Sequence, residues 1–304
     1  MSVKIAILGS INRDFVASAS RLPKLGETVE GFGLSINVGG KGSNQAVQAA
    51  SLGAKTWFIG CVGGDENGGI VKQSLADRGV IVDFLKELEG KQTGNCSIYV
   101  DRQGDNMLVY YPGANKMITT EHLDSAAHII EGADILITQN EINRDALIHG
   151  LKIARKAGVP TLFNPAPATP TEDIVFENAD YVTPNETESE VFTGLLMKDI
   201  PFVDWKKRNA EWFLKKGVRG VCITLGGKGA YYCDGTTEMD VPAFSVNPVD
   251  TTAAGDAFNA GFAYGISAGM EIGAALRLAS ACGALATERA GAHASIRSKR
   301  EIDA

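Results

Sequence analysis

The chain has 304 residues, enough for one large α/β domain or two small ones. Hydrophobic residues make up 44% of the chain, which supports a sizeable core and argues against disorder. The formal net charge is -7 and no basic run stands out, so neither nucleic acid nor an anionic membrane is expected as a partner.

Cysteine and histidine usage argues against a disulfide framework or a metal cluster. The five cysteines form no CxxC pair and are predicted to be reduced, mostly buried thiols. The four histidines have no metal-ligand spacing, and His122, His128 and His149 are predicted at the surface. No apolar stretch reaches the length of a membrane span, and the first residues lack a signal-peptide cleavage pattern. We therefore expect a cytoplasmic protein.

Short apolar runs alternate with segments of helical periodicity, which predicts a mostly parallel sheet with crossover helices. Glycines that stop helices follow four of these segments, at Gly53, Gly79, Gly158 and Gly217. The predicted strands are Lys4–Gly9, Lys55–Cys61, Ile135–Thr138, Thr161–Asn164, Tyr181–Thr183 and Gly220–Thr224. The predicted helices are Ser43–Leu52, Gly68–Asp77, Arg144–Ala157 and Trp205–Lys216.

Two segments, 13–37 and 93–111, break this alternation and show strand patterns with turn residues. The second segment is predicted to be a β-hairpin that turns at Arg102–Asp105. Together the two segments predict a small extra sheet. Such a sheet with one apolar face is not stable alone, so it must cover an active site, a partner subunit or both.

The first candidate site residues, Asn12 and Asp14, follow the first predicted strand. Ligands of open α/β sheets bind outside the carboxyl ends of the strands. If the chain stays extended, Asn12 and Asp14 face the same side and suit the hydroxyls of a sugar-like ligand. The alternative is a turn with an Asx cap.

A glycine-rich run, Asn37–Ala46, precedes the first predicted helix. Its backbone N–H groups and the Lys41 ammonium are placed to face a polar ligand. The run is not a Walker A loop, because glycine follows Gly40-Lys41 and the spacing is wrong. The alternative is a glycine-rich turn before a well-capped helix.

Two acidic motifs also follow predicted strands. Glu141 is expected either to accept a hydrogen bond from a ligand hydroxyl or to cap the helix that begins near Arg144. Asn185 and Glu188 lie three apart on one helix face, where hard oxygen ligands suit Mg²⁺ held through water. The alternative is an acidic helix N-terminus stabilised by the helix dipole.

The run Ile223–Ala230 is predicted to be a strand, a glycine turn and a second strand, which either admits a flat nucleotide or is only a hairpin.

The most informative run is Val249–Phe258, which follows a strand-like segment, Ala243–Val249, and opens a small-residue helix, Ala257–Gly269. Unpaired N–H groups and the dipole at the start of that helix suit a phosphate. A carboxylate at Asp256 repels phosphate unless it takes a proton from an attacking hydroxyl. The alternative is that Asp256 only starts the helix.

Taken in this order, these runs resemble the ribokinase-type carbohydrate kinases of the phosphofructokinase-B family, from Lys4 to about Ser295. The motifs that carry the resemblance are Asn37–Ala46, Asn164–Pro167, Pro184–Glu188 and Asp250–Phe258. The resemblance implies a single α/β kinase domain over 1–304, with a Rossmann-type parallel sheet and a lid formed by about 13–37 and 93–111. It implies ATP-dependent phosphorylation of a sugar, with ribose as the expected acceptor, and a homodimer formed through the lid sheet.

The resemblance also implies roles for single residues. Asp256 matches the catalytic base, and the N–H groups of Ala254, Gly255 and Asp256 match the anion hole. The sugar-binding positions are Asn12, Asp14, Gly40, Lys41, Asn44 and Glu141. The positions for ATP are Asn185, Thr224, Gly226, Gly229 and Ser280, of which Ser280 stands where the family usually has asparagine. Asn185 and Glu188 match the Mg²⁺ motif, and Asp250, Thr252 and Ser295 match a K⁺ site.

Two alternatives to a ribose kinase stay open. One is a kinase of the same fold that acts on deoxyribose, another pentose or hexose, or a nucleoside. The other is a catalytically silent sugar sensor. Intact Asp256, Gly255, Lys41 and Glu188 argue against the sensor, because a non-enzyme has no need of the base.

Overall fold

The structure of the chain is a computed structural model that describes residues 2–303. These residues form thirteen strands, which build two sheets. In chain order the strands are β1 Lys4–Leu8, β2 Asn12–Ala19, β3 Gly31–Gly39, β4 Lys55–Gly63, β5 Ile81–Leu88, β6 Gly94–Val100, β7 Asn106–Tyr111, β8 Ile135–Gln139, β9 Thr161–Asn164, β10 Tyr181–Val182, β11 Gly220–Thr224, β12 Ala230–Cys233 and β13 Glu238–Val241.

Eleven α-helices and three short 3₁₀ helices connect the strands in residues 2–303. None of these helices combines the length and apolar character needed to cross a bilayer. The 3₁₀ helices are Gly113–Met117, Met197–Asp199 and Gly226–Lys228. The α-helices are α1 Lys41–Ser51, α2 Glu66–Asp77, α3 Thr120–Glu131, α4 Arg144–Ala157, α5 Asp173–Glu177, α6 Glu186–Thr193, α7 Phe202–Leu214, α8 Ala254–Ser267, α9 Ile272–Ala286, α10 Ala292–Ser295 and α11 Lys299–Ile302.

The larger sheet has the strand order β13-β12-β11-β10-β9-β8-β1-β4-β5. Pairing is parallel from β11 to β5, and β12 and β13 add an antiparallel edge. Alternate residues of β1 supply two separate cores, with Ile5 and Ile7 on one face and Ala6 and Leu8 on the other. Burial on both faces explains why these strands have continuous apolar sequences. The predicted fold class, a mostly parallel sheet between helices, is confirmed.

Helix ends follow the local capping chemistry. The four predicted stop glycines all have positive φ, between 72° and 98°, a backbone region that favours glycine. Several helices begin two or three residues before the predicted start. In α2, the Asp65 carboxylate accepts the Gly68 N–H at 2.8 Å, so the helix begins at Glu66.

The two segments that break the alternation form a second sheet with the order β3-β2-β6-β7. The β6–β7 turn lies at the predicted place, and the Asp101 carboxylate accepts the N–H groups of Gln103 and Asp105 there. β2 follows β1 directly, and β3 leads directly into α1. The second sheet is therefore anchored at the carboxyl end of the first strand.

One predicted strand is wrong. Residues 242–248 have no strand assignment, and within residues 2–303 the segment pairs with no other strand. Pro242 and Pro248 lack N–H donors near its two ends, which explains why it does not join the sheet. The segment instead lines a cavity.

The histidine and cysteine predictions have mixed outcomes. The prediction that His122 lies at the surface is wrong: the residue is buried, and its Nε2 lies 3.0 Å from the Phe84 carbonyl. His128 is exposed and His149 is half-buried beside Asp124. No cysteine of the described residues is in a disulfide; Cys96 is half-buried and the other four are buried, as predicted.

Candidate active site

The centre of the candidate site is Asp256, in the first turn of α8 and only 8% exposed. Its Oδ2 accepts a hydrogen bond from Asn44 Nδ2 at 2.8 Å, and its Oδ1 accepts one from Gln45 Nε2 at 3.0 Å. Both donors lie on α1, at the end of the glycine-rich run. The two predicted signature motifs, 212 residues apart, are therefore joined at one carboxylate.

Gln45 was not predicted as a site residue, and its orientation is fixed by a second amide. Gln139 Nε2 donates to Gln45 Oε1 at 2.6 Å, which leaves Gln45 Nε2 to face Asp256. The available sequence signal was a buried glutamine at the carboxyl end of β8, where ligands are expected in α/β sheets. The amide chain holds the Asp256 carboxylate in one position.

Charges around Asp256 act in opposite directions. Burial raises the pKa of Asp256, and the Lys41 ammonium together with the Asn44 and Gln45 amides opposes that rise. Burial also lowers the pKa of Lys41, but the charges of Asp256, Glu141 and Glu188 outweigh it and leave the pKa raised. Lys41 thus stays protonated among three carboxylates.

Glu141 does not cap α4, so the capping alternative is wrong. Asn143 caps that helix by accepting the Ala146 N–H at 2.8 Å. Glu141 Oε2 instead accepts hydrogen bonds from Ser10 Oγ at 2.5 Å and from the Lys41 N–H at 3.3 Å. Glu141 therefore lies where the glycine-rich run meets the end of β1.

The glycine-rich turn at the start of α1 is not a well-capped helix start. Gly40 is the N-cap residue with φ 95°, and no side-chain cap is present among the described residues. A Cβ at Gly40 would lie 2.8 Å from Ile11 Cα, so the close approach needs glycine. The run therefore packs against the residues that follow β1, where the Ser43 N–H donates to the Ser10 carbonyl at 2.9 Å.

Asn12 and Asp14 lie on the same face of β2, as predicted. Asn115 Nδ2 donates to Asn12 Oδ1 at 2.8 Å, and Asn115 Oδ1 accepts the Ile11 N–H at 3.0 Å. Asn115 was missed because nothing in its sequence neighbourhood marks it as a partner of β2. Burial, with the charge of Glu141, raises the pKa of Asp14 to about 7.

Some buried oxygens of this polar cluster have no hydrogen-bond partner within residues 2–303. They include Asp14 Oδ1 and Asn44 Oδ1. An unpaired buried acceptor costs about 1–3 kcal/mol, so such atoms indicate a place for external donors. Hydroxyl groups of a bound polyol have that chemistry.

The N-terminus of α8 offers two free N–H groups rather than the predicted three. The Ala254 N–H donates to the Thr251 carbonyl at 3.2 Å, whereas those of Gly255 and Asp256 meet no acceptor in the part of the chain that the structure describes. The N-cap residue Ala253 has φ 64°, and a Cβ on Gly255 would meet open space. These groups and the helix dipole suit an anion.

A cavity of about 640 Å³ opens beside this helix end. Ala254 and Gly255 form part of its wall, and Phe244 and Val246, from the segment wrongly predicted as a strand, supply apolar surface. All five residues predicted for nucleotide binding line this cavity: Asn185, Thr224, Gly226, Gly229 and Ser280. An apolar cavity that ends at an anion site has the shape and chemistry for a nucleotide.

Asn185 and Glu188 form a capping box at the start of α6. Asn185 Oδ1 accepts the Glu188 N–H at 2.8 Å, and Glu188 Oε2 accepts the Asn185 N–H at 2.9 Å. The acidic helix start proposed as the alternative is therefore present. Burial raises the pKa of Glu188, against the Asn185 N–H and the Lys41 charge. No group of three His, Cys, Asp or Glu side chains suited to a metal occurs in residues 2–303.

Asp250 ties the loop before α8 to the C-terminal turn. Its Oδ1 accepts from Thr252 N at 2.9 Å and from Thr252 Oγ1 at 2.6 Å, and its Oδ2 accepts from Gly291 N at 2.8 Å. Burial raises the pKa of Asp250, but these hydrogen bonds outweigh it and leave the pKa lowered. Ser295 is fully buried at the end of α10, just after that turn.

Comparison with known proteins agrees with this geometry. Ribokinase of Haemophilus influenzae is 36% identical and covers 99% of this chain and 97% of its own length. Deoxyribokinase of Salmonella typhimurium is 34% identical over 86% of this chain and 84% of its own length. The structure of Arabidopsis thaliana ribokinase complexed with ribose and ATP is 30% identical, with a TM-score of 0.93, over 99% of this chain and 98% of that one. Residues 2–299 match the pfkB family of carbohydrate kinases, and the chain belongs to that family.

Proposed function

We propose that the protein is an ATP-dependent kinase that converts D-ribose to D-ribose 5-phosphate. The observation that carries the proposal is the position of Asp256. Its carboxylate is held by two α1 amides between a cluster of buried polar groups and the free N–H groups of α8. Ribokinases that cover nearly the whole chain, and a ribokinase structure with ribose and ATP, support ribose as the acceptor.

In the proposed reaction, Asp256 takes the proton of the sugar 5-hydroxyl as that oxygen forms its bond to the γ-phosphorus. The bond from the γ-phosphorus to the bridging oxygen breaks, and ADP leaves. The N–H groups of Gly255 and Asp256 stabilise the charge on the transferring phosphoryl group. Burial raises the pKa of Asp256, which makes its carboxylate a stronger proton acceptor.

The residues for Mg²⁺ fit a water-mediated role. Asn185 Oδ1 and Glu188 Oε2 are used in the capping box, which leaves Glu188 Oε1 as the carboxylate oxygen for a metal-bound water. Mg²⁺ held there through water would neutralise charge on the ATP phosphates. Glu188 lies close enough to Lys41 and Asp256 for their charges to shift its pKa.

The same-fold alternatives differ in the acceptor. The deoxyribokinase relative makes deoxyribose the strongest rival sugar. Of the two phenylalanines considered for a nucleoside, Phe15 alternates with Asp14 on β2 and so lies on the opposite face of the small sheet. Phe32 is 61% exposed. A silent sensor is disfavoured by the amide chain that positions Asp256, because sugar binding alone has no need of a held base.

The proposed function is tested by ADP release with ribose, deoxyribose, hexoses and nucleosides. We expect turnover with ribose and a loss of kcat of roughly 10²–10⁴-fold in Asp256→Asn, the usual worth of general-base catalysis. Ribose binding, measured by calorimetry without ATP, should change little. Near-normal turnover in that variant would exclude Asp256 as the base, and turnover with a different sugar only would overturn the ribose assignment.

Gly255→Ala tests the anion site at α8. The added methyl group meets no protein atom within 4 Å, so the fold should be unaffected and the helix slightly favoured. The methyl group would occupy space beside the phosphoryl group, and we expect kcat/KM for ATP to fall about 10²-fold with unchanged ribose binding. Gly69→Ala, on α2 and equally unhindered, is the matched control. Equal kinetics in the two variants would place the phosphate elsewhere.

We also propose that K⁺ binds near Asp250, Thr252 and Ser295. A carboxylate has about four lone-pair sites, and Asp250 uses three of them, which leaves one. The Thr252 carbonyl accepts no hydrogen bond from residues 2–303. A bound cation would fix these oxygens and so order the loop that presents the α8 N–H groups. The loop is a short distance along the chain from Asp256.

The K⁺ site predicts faster turnover in KCl than in NaCl. We expect the unmodified protein to turn over several-fold faster in KCl and to melt at a higher temperature there. Asp250→Ala should abolish both differences between the two salts. Asp234→Ala is the matched control, because Asp234 accepts the same Thr N–H and hydroxyl bonds in the β12–β13 turn. Equal rates and melting temperatures in both salts would argue against the site.

A homodimer through the small sheet is proposed from its outer face. Leu34, Tyr99 and Met107 lie in one register row, and Ile36 and Val109 lie in the next. All five are more than 40% exposed. A contiguous, exposed apolar face on a small sheet is typical of a surface that a second copy of the chain covers.

The dimer is tested by light scattering at micromolar concentration. We expect twice the chain mass for the unmodified protein and a single chain mass for Leu34→Glu, because two like charges would face each other in the interface. Val203→Glu, at another exposed position, on α7, should leave the mass unchanged. A monomeric unmodified protein would contradict the proposal.

A further inference from the structure

The inner face of the small sheet carries a tyrosine, Tyr110, that the proposed mechanism does not use. In register across the sheet, Asn37 pairs with Asp14, Asp14 pairs with Cys96, and Cys96 pairs with Tyr110. Paired residues in a sheet point to the same side. Tyr110 therefore lies on the same face as Asp14, the face that covers the polar cluster.

The Tyr110 hydroxyl is buried and finds no hydrogen-bond partner among residues 2–303. Burial, and next the charge of Glu141, raise the pKa of Tyr110, and a weaker opposing contact with the Asn115 side chain does not reverse this, so the hydroxyl keeps its proton and is a donor. A buried tyrosine hydroxyl normally has a partner, and the groups around it are those assigned to the sugar.

We propose that the Tyr110 hydroxyl donates a hydrogen bond to a hydroxyl of the sugar and is a specificity-determining residue of the acceptor site. This inference rests on the proposed function. It assigns to Tyr110 a contact with the substrate rather than a part in the proton transfer.

The placement of Tyr110 selects the part of the sugar that it contacts. Asp256, the base for the reacting hydroxyl, is held by Asn44 and Gln45 on α1. Tyr110 shares its row with Asp14 on the sheet. The contacted hydroxyl is therefore one of those away from the transferred phosphoryl group, at C1, C2 or C3 of ribose.

The Tyr110 hydroxyl, in this position, discriminates between acceptor sugars. A site built to hydrogen-bond a substrate hydroxyl rejects an analogue that lacks it, because the buried donor is left without a partner. Tyr110 thus favours the sugar that carries the contacted hydroxyl over the corresponding deoxy sugar. Deoxyribose tests the C2 position, and two other analogues test C1 and C3.

The experiment crosses Tyr110→Phe with four acceptors: ribose, 2-deoxyribose, 3-deoxyribose and 1,4-anhydroribitol. We expect kcat/KM for ribose to fall roughly three- to tenfold in the variant, the worth of one neutral hydrogen bond. For the one analogue that lacks the contacted hydroxyl, the variant and the unmodified protein should be equal. Tyr111→Phe, the chain neighbour on the outer face, is the matched control.

The proposal is overturned if Tyr110→Phe reduces kcat/KM by the same factor for all four acceptors, or leaves ribose unaffected. Equilibrium binding of the same sugars without ATP gives a second readout. If the unmodified protein phosphorylates none of them, the proposed function fails, and the binding data alone decide the role of Tyr110. Equal KM for ATP and equal melting temperatures in the Tyr110 and Tyr111 variants exclude a loss of folding as the cause.

Discussion

The contact between α1 and the Asp256 carboxylate is the constraint on which the site depends. Asn44 and Gln45 each donate to one carboxylate oxygen, so the two helix starts are fixed relative to each other. α1 in turn carries the glycine-rich run that contacts Glu141, and α8 carries the free N–H groups beside the cavity. A carboxylate buried this far is stable only when hydrogen-bonded and near a counter-charge, and Lys41 supplies the charge.

Local sequence patterns predicted the fold well because its elements have strong local causes. The central strands are buried on both faces and therefore apolar throughout, and the helices end at glycines with positive φ. The wrong strand at 243–249 shows the limit of such patterns. Its residues have the composition of a strand, but the prolines beside it remove the donors that a ladder needs, and its apolar side chains cover a cavity instead.

The site was predictable where a motif marks it and not where only the fold brings residues together. Asp256, Lys41 and Glu141 lie in recognisable runs. The roles of Gln139 and Asn115 were not predictable in this way, because each acts on a residue about a hundred positions away in the chain, through contacts that appear only when the sheet is assembled. The Asn185–Glu188 motif shows that a structural and a functional interpretation can both apply, since the helix cap uses one carboxylate oxygen and leaves the other.

The register of the small sheet has an evolutionary consequence. Inner-face residues such as Asp14 and Tyr110 alternate along each strand with outer-face residues such as Val109. Because the side-chain period of a strand is two, deletion of one residue in a strand would exchange its two faces beyond that point. Such a change would put apolar groups over the polar cluster and polar groups on the outer surface at once. Insertions and deletions should therefore be tolerated at the exposed 101–105 turn but eliminated by selection within these four strands. This selection should be stricter than in a sheet of which only one face has a functional role.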